Sequence, residues 1–127
     1  MINQERVKMD LEPLKWDFSL TKAARYHKND MATQRYFDHN TYHRIDGKLV
    51  KIGGTFTRIR KFNNLRFVNS ENIAAGGRLA KDIYYQCYIS KGHYDNMFNK
   101  TSKYVGIGVA NNPDSPYKYY WVFCTAR

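Results

Sequence analysis

The stretch Ser70-Glu71-Asn72-Ile73-Ala74-Ala75-Gly76-Gly77 decides how this chain is read. It sets a single carboxylate inside a small, otherwise apolar segment that ends on a glycine pair. Downstream, Ser90-Lys91-Gly92-His93-Tyr94-Asp95-Asn96-Met97-Phe98 places a histidine directly after a glycine, where the spacing predicts the end of a helix. A carboxylate and an imidazole in apolar surroundings need each other, a hydrogen-bond donor or a metal, because an unpaired buried charge is costly. A third group lies upstream in Tyr36-Phe37-Asp38-His39. The reading is a polar cleft made by His39, Glu71 and His93.

Around that stretch the chain alternates between helical and extended patterns. Residues 1 to about 12 read as a short helix or arm. From Leu14, the residues Trp16, Leu20, Ala23 or Ala24, His27 and Met31 recur at spacings of three and four, which predicts a helix capped by Asp17 or Ser19. His27 falls on its apolar stripe and reads as a core histidine satisfied by one hydrogen bond. Residues 40 to 54 read as irregular, with Asp46-Gly47 as a hairpin-like turn and Gly53-Gly54 as a joint. His43 reads as exposed. Thr55 to Asn63 predicts a short basic helix with Phe56, Ile59 and Phe62 inward, and an extended segment through Ile73-Ala74 carries Glu71.

Arg78 to Ser90 predicts a second long helix, buried along Leu79, Ile83 and Cys87, with Gly92 as a left-handed cap. In Tyr104-Val105-Gly106-Ile107-Gly108-Val109 the alternate glycines thin one face of a strand so that another element packs closely on it. Tyr119-Tyr120-Trp121-Val122-Phe123-Cys124 is apolar on both faces. A strand buried twice needs helices on both sides of its sheet, which predicts a three-layer α+β arrangement.

Composition sets the outer bounds. A chain of 127 residues, 43% hydrophobic and 25% charged, reads as one globular domain over residues 1–127. The formal net charge of +10 favours acidic partners without choosing among them, and Arg58-Ile59-Arg60-Lys61 is its densest cluster. No run is long and apolar enough to span a bilayer, and no signal-peptide core follows Met1. Cys87 and Cys124 match no zinc spacing. They read as two buried thiols, with a disulfide between them as the alternative.

Taken together, Leu14-Lys15-Trp16-Asp17, Asp30-Met31-Ala32, Tyr36-Phe37-Asp38-His39, Glu71-Asn72-Ile73-Ala74-Ala75-Gly76, Ser90 to Met97, Gly106-Ile107-Gly108 and Tyr120-Trp121 resemble the bacterial branch of the CAP superfamily, also called SCP-like domains. The resemblance covers nearly the whole chain in order. It implies an α-β-α sandwich with a small antiparallel sheet between helices, in a protein secreted or displayed at the outer surface, with a lipid anchor upstream of the domain among the options. In that family two histidines and two glutamates line a central cleft, and some members hold a divalent metal there. His39, Glu71 and His93 match three of the four positions. Only Asp82 supplies an acid between Arg78 and Gly92, Cys87 stands where bacterial members tend to have tryptophan, and Ser70 stands where they have glycine.

The resulting expectation is a non-enzymatic binding module for a lipid, a sterol or a host protein. His39 and His93 are the candidate metal ligands, zinc the candidate ion, and Gly92, Asn72 and Asn96 are assigned structural roles. Two alternatives are carried. One is a basic polyanion-binding protein using Arg58, Arg60 and Lys61 on a glycan or nucleic acid, although no specific nucleic-acid motif accompanies the charge. The other is a metal-dependent hydrolase.

Overall fold

The computed structural model describes residues 1–63 and 66–127. In chain order the elements are α1 (Ile2–Lys8), β1 (Lys15–Trp16), α2 (Phe18–Gln34), β2 (Thr41–Ile45), β3 (Lys48–Gly53), α3 (Thr55–Phe62), β4 (Val68–Ala75), α4 (Ala80–Tyr88), α5 (Lys91–Met97), β5 (Tyr104–Asn111) and β6 (Tyr119–Ala126). Four strands form the main sheet in the order β1-β5-β6-β4, and β2 and β3 form a separate hairpin. β6 runs antiparallel to both β4 and β5, while the two-residue β1 pairs parallel to β5.

The doubly apolar strand β6 explains the layering. Tyr120, Val122, Cys124 and Ala126 point into a core shared with α2 and with Ile59 of α3. Phe123 points the other way, into a second core with Ile83 and Cys87 of α4 and Met97 of α5. The fold is therefore α+β, an α-β-α sandwich with the sheet in the middle layer, as the sequence predicts.

α2 lies against β5 with backbone almost touching backbone. A Cβ on Gly106 would sit 2.1 Å from the carbonyl carbon of Leu20, and one on Gly108 would sit 2.9 Å from that of Ala24. The small residues Ala23 and Ala24, both fully buried, complete this close approach from the helix side. Asp17 starts the helix, accepting from Leu20 N at 2.9 Å, and left-handed Arg35 ends it. Trp16 is not on the helix: it lies in β1 and is 60% exposed.

The stretch read as irregular is the β2–β3 hairpin. Asp46 and Gly47 both have positive φ (50° and 78°), as a two-residue type I′ turn demands. A second difference falls at Gly92. α4 stops at Tyr88, and Ser90 becomes the N-cap of a new helix, α5, so Gly92 lies in the first turn of α5 and forms no left-handed cap. Ser90 starts this helix without a side-chain cap on a backbone N–H, its hydroxyl pairing instead with the His93 ring one turn on. Leu79 and Phe56, expected inward, are largely exposed.

α1 is fixed by an arginine. Arg6 is fully buried and donates to four backbone carbonyls: Glu12 at 2.8 Å, Met97 at 2.9 Å, Asn99 at 3.0 Å and Ser102 at 3.1 Å. Met97 closes α5, so the guanidinium caps the carbonyl end of that helix, where positive charge is favoured.

Cys87 and Cys124 are both free and buried, and they occupy different cores on opposite faces of the sheet. Of the two readings, the buried thiols stand and the possible disulfide is corrected. A bond needs both cysteines on one core, but β6 presents Cys124 to the α2 side while α4 covers the other face.

Candidate functional site

Glu71 sits in β4 opposite Cys124, on the face covered by α2 and α3, and its side chain is 1% exposed. Three donors meet its carboxylate. Arg58 Nη2 donates to Oε2, His39 Nδ1 donates to Oε1 at 3.0 Å, and the Cys124 thiol lies 3.7 Å from Oε2. Because a carboxylate only accepts, His39 carries its proton on Nδ1. Arg58 Nη1 also reaches the His39 carbonyl at 2.8 Å and Thr41 Oγ1 at 3.1 Å, tying α3 to the loop that carries the histidine. Burial alone would push the Glu71 carboxyl up. The hydrogen bond from His39 and the Arg58 guanidinium outweigh it and hold the group below the ordinary carboxylate range.

Arg58 is the residue that sequence reading misplaces. By composition it belongs to an exposed basic cluster, yet it is only 4% exposed and serves as the buried counter-ion. The signal lies in the phase of α3: Arg58 adjoins Ile59, and both fall on the buried side of the helix. Arg60 and Lys61 remain exposed. The polyanion reading therefore loses its central residue.

His93 occupies the cleft without touching Glu71. Its Nδ1 pairs with Ser90 Oγ at 2.8 Å, and its carbonyl accepts from Asn72 Nδ2 at 2.9 Å. Asn96 Nδ2 donates to Asn72 Oδ1 at 2.7 Å, so the two asparagines link β4 to α5. Burial, and then repulsion from His39, lower the His93 pKa, which places the two imidazoles within electrostatic range of each other. A hollow of about 270 Å³ adjoins His93, walled by Phe37, Ile73, Ser90 and Tyr117. The three predicted residues thus share one region at the free edge of β4, as a His39–Glu71 pair and a separate Ser90–His93 pair.

This donor set does not suit a divalent cation. Both Glu71 oxygens are engaged, one of them by a guanidinium that would repel a metal, and no group of three or more His, Cys, Asp or Glu among the described residues is arranged to hold one. Asp82, the one acid that could complete a set, is exposed in the first turn of α4. His39 and His93, the candidate metal ligands, each belong to a separate hydrogen-bonded pair.

His27 behaves as a core histidine. It is fully buried, its Nε2 lies 2.9 Å from the Asp38 carbonyl, and its Nδ1 has no partner among the described residues. Burial pushes its pKa down to about 4. His43 reaches Asp30 at 3.2 Å from a partly exposed position.

Sequence reading misses a larger cavity on the other side of the sheet, about 480 Å³, between β5–β6 and the helices α1 and α4. Its wall is mostly apolar and includes Leu14, Trp16, Ile83, Val105, Ile107 and Trp121. Asn3 and Asn72 are among its few polar residues. Asn3 is already paired to the Leu14 backbone, and Trp121 Nε1 donates to the Gly77 carbonyl at 2.8 Å. The only sequence signal is an excess of aromatic and aliphatic residues with no assigned neighbours.

A family model described as CAP, the cysteine-rich secretory protein family, matches residues 1–125. The chain belongs to the CAP family. This CAP domain is 32% identical over 108 residues to the Bacillus subtilis (strain 168) protein YkwD, and the match spans 85% of this chain but 39% of YkwD. In fold it is similar to an outer surface protein from Borrelia burgdorferi, with a TM-score of 0.81 at 20% identity, covering 99% of this chain and 86% of that one. It is similar too to an extracellular protein containing an SCP domain from Bacillus anthracis, with a TM-score of 0.75 at 23% identity, covering 99% of this chain and 38% of that one.

Proposed function

We propose that this CAP domain is a secreted or surface-displayed binding module that takes an apolar small molecule, of the lipid or sterol class, into the cavity between β5–β6 and α1–α4. The observation that carries this reading is the cavity itself. At about 480 Å³ it falls in the size range of small-molecule sites, and its wall is apolar with few polar groups, as ligand pockets are. The outer-surface and extracellular descriptions of the Borrelia burgdorferi and Bacillus anthracis proteins support display outside the cell. The domain acts by binding rather than by turnover. Glu71 does orient His39 through Nδ1, but no serine, threonine or cysteine pairs with His39 Nε2 among the described residues. His93 contacts no carboxylate there, so neither imidazole has both the orienting acid and the nucleophile that covalent catalysis uses.

Titration with a fluorescent fatty acid and a fluorescent sterol tests the reading. Ala80→Trp, at the cavity rim, should weaken binding by about tenfold or more, roughly 1.4 kcal/mol, by filling the space. His39→Ala should leave it unchanged. Loss of binding in His39→Ala with none in Ala80→Trp would move the ligand to the cleft and overturn the assignment.

A further inference from the structure

The β2–β3 hairpin stands apart from the main sheet, and every residue of β3 before Ile52 and Gly53 is exposed, with Ile52 itself at 49%. The strand register sorts its side chains. His43 pairs with Val50 and Ile45 with Lys48, so Ile45, Val50 and Ile52 lie on one face of the hairpin in a diagonal row. Ile45 and Val50 are exposed at 53% and 41%, and Phe56 follows at 43% just past the Gly53-Gly54 joint. One end of this face is pinned to α2 through His43 and Asp30, and the rest is open.

Cations flank the apolar row. Lys48 shares its face, Lys51 stands on the opposite face of the hairpin, and Arg60 and Lys61 follow on α3. All four are exposed, and Asp46 is the one acid between residues 41 and 63. Arg60 lies over the Phe56 ring at 5.8 Å, so a charged head and an apolar ring share one patch. Apolar side chains set among long basic ones match a membrane interface, where rings and branched chains enter the acyl boundary while lysine and arginine heads stay with anionic headgroups. A second copy of the chain is a poor occupant, because edge-to-edge pairing would bring the same lysines together on a molecule already at +10. A sulfated glycan would use the charges and leave the apolar row in water.

We infer that the β2–β3 hairpin, with the start of α3, is a docking face for an anionic lipid bilayer. The inference does not depend on the cavity reading, since none of these residues lines that cavity.

Co-sedimentation with vesicles tests it, using phosphatidylglycerol mixed into phosphatidylcholine against phosphatidylcholine alone. The protein should bind the anionic vesicles and not the neutral ones. Lys48→Gln, on the docking face, should weaken partitioning by about fivefold, and Lys51→Gln, on the opposite face, by less. Val50→Ser/Ile52→Ser should abolish stable binding at unchanged net charge. All four side chains are solvent-facing, and circular dichroism checks that the variants fold. Anionic binding indifferent to the Val50/Ile52 change would reduce the face to diffuse charge and overturn the proposal. So would heparin capture without vesicle binding, or a concentration-dependent dimer lost in the same variants.

Discussion

Arg58 and Glu71 form an ion pair whose two side chains are 4% and 1% exposed, between the middle of α3 and the middle of β4. Two charges removed from water are stable only while paired, so the energetics of the site lie in their coupling. Arg58→Met should destabilise the protein by about 3–5 kcal/mol, since it strands a buried carboxylate. Glu71→Leu strands the guanidinium and should act similarly. The double variant Arg58→Met/Glu71→Leu should cost far less than the sum, because replacing both members of a buried pair by apolar groups is often nearly neutral. Urea unfolding of the four proteins measures the cycle, and additive losses would contradict the coupling.

The buried histidine gives the fold a sensitivity to acid at higher pH than the carboxylates do. His27 titrates near 6.5 in the unfolded chain and near 4 in the folded one, so the unfolded state takes up a proton first. Stability is full above pH 6.5 and falls as the pH drops toward 4, by on the order of 3 kcal/mol from this group. Burial is the main cause, opposed by the Glu71 charge and reinforced by Arg58. Glu71, held low, adds its own loss once the pH falls through the ordinary carboxylate value, where the unfolded chain takes up the proton first. His27→Gln keeps a donor for the Asp38 carbonyl and cannot titrate. Its unfolding free energy should change much less than wild type between pH 7 and pH 4.5, and equal slopes would show that His27 is not the group responsible.

The layers were legible because β6 is apolar at successive positions, which only burial on both faces explains, and because Asp17 and Asp46-Gly47 state their local geometry outright. The site was legible as a place: a lone acid in an apolar strand had to be met by something. What met it was not. A guanidinium one residue before Ile59 reads as surface charge until the phase of α3 is fixed by packing. Gly92 misled for a related reason, since glycine after a helical run reads as a stop, whereas Ser90 two residues earlier restarts the chain as α5. The cavity left no more than a surplus of apolar residues, because its walls come from separate segments and only their packing defines the space between them.

The two glycines of β5 differ in how much room they have, and substitution should rank them. A methyl at Gly106 meets the Leu20 carbonyl carbon at 2.1 Å, against backbone that no side-chain rotation can move. At Gly108 the approach to Ala24 is 2.9 Å, so a smaller shift of α2 relieves it. Gly108→Ala should cost about 1–3 kcal/mol, the usual penalty for overpacking, and Gly106→Ala should cost more. Thermal unfolding reads the order directly. A Gly106→Ala protein as stable as wild type would mean that α2 is not seated on β5 at this distance.

The two thiols should behave as independent, unreactive groups. Cys87 is raised to about 11 by burial, and Cys124 is raised well above the ordinary thiol value by burial and then by the neighbouring Glu71 charge. The thiolate is the reactive form, so both should resist alkylation in the native protein at pH 8 and react in denaturant. Their positions on opposite faces of the sheet forbid a bond without moving β6 or α4. Intact mass should be the same before and after reduction, and unreduced, denatured protein should take up alkylating agent at both positions. Cys87 also lines the apolar cavity, so its residual labelling in the native state should fall further when a fluorescent fatty acid is bound, while Cys124 labelling stays unchanged. Protection of Cys124 instead, or a mass change on reduction, would contradict the separation of the two cores.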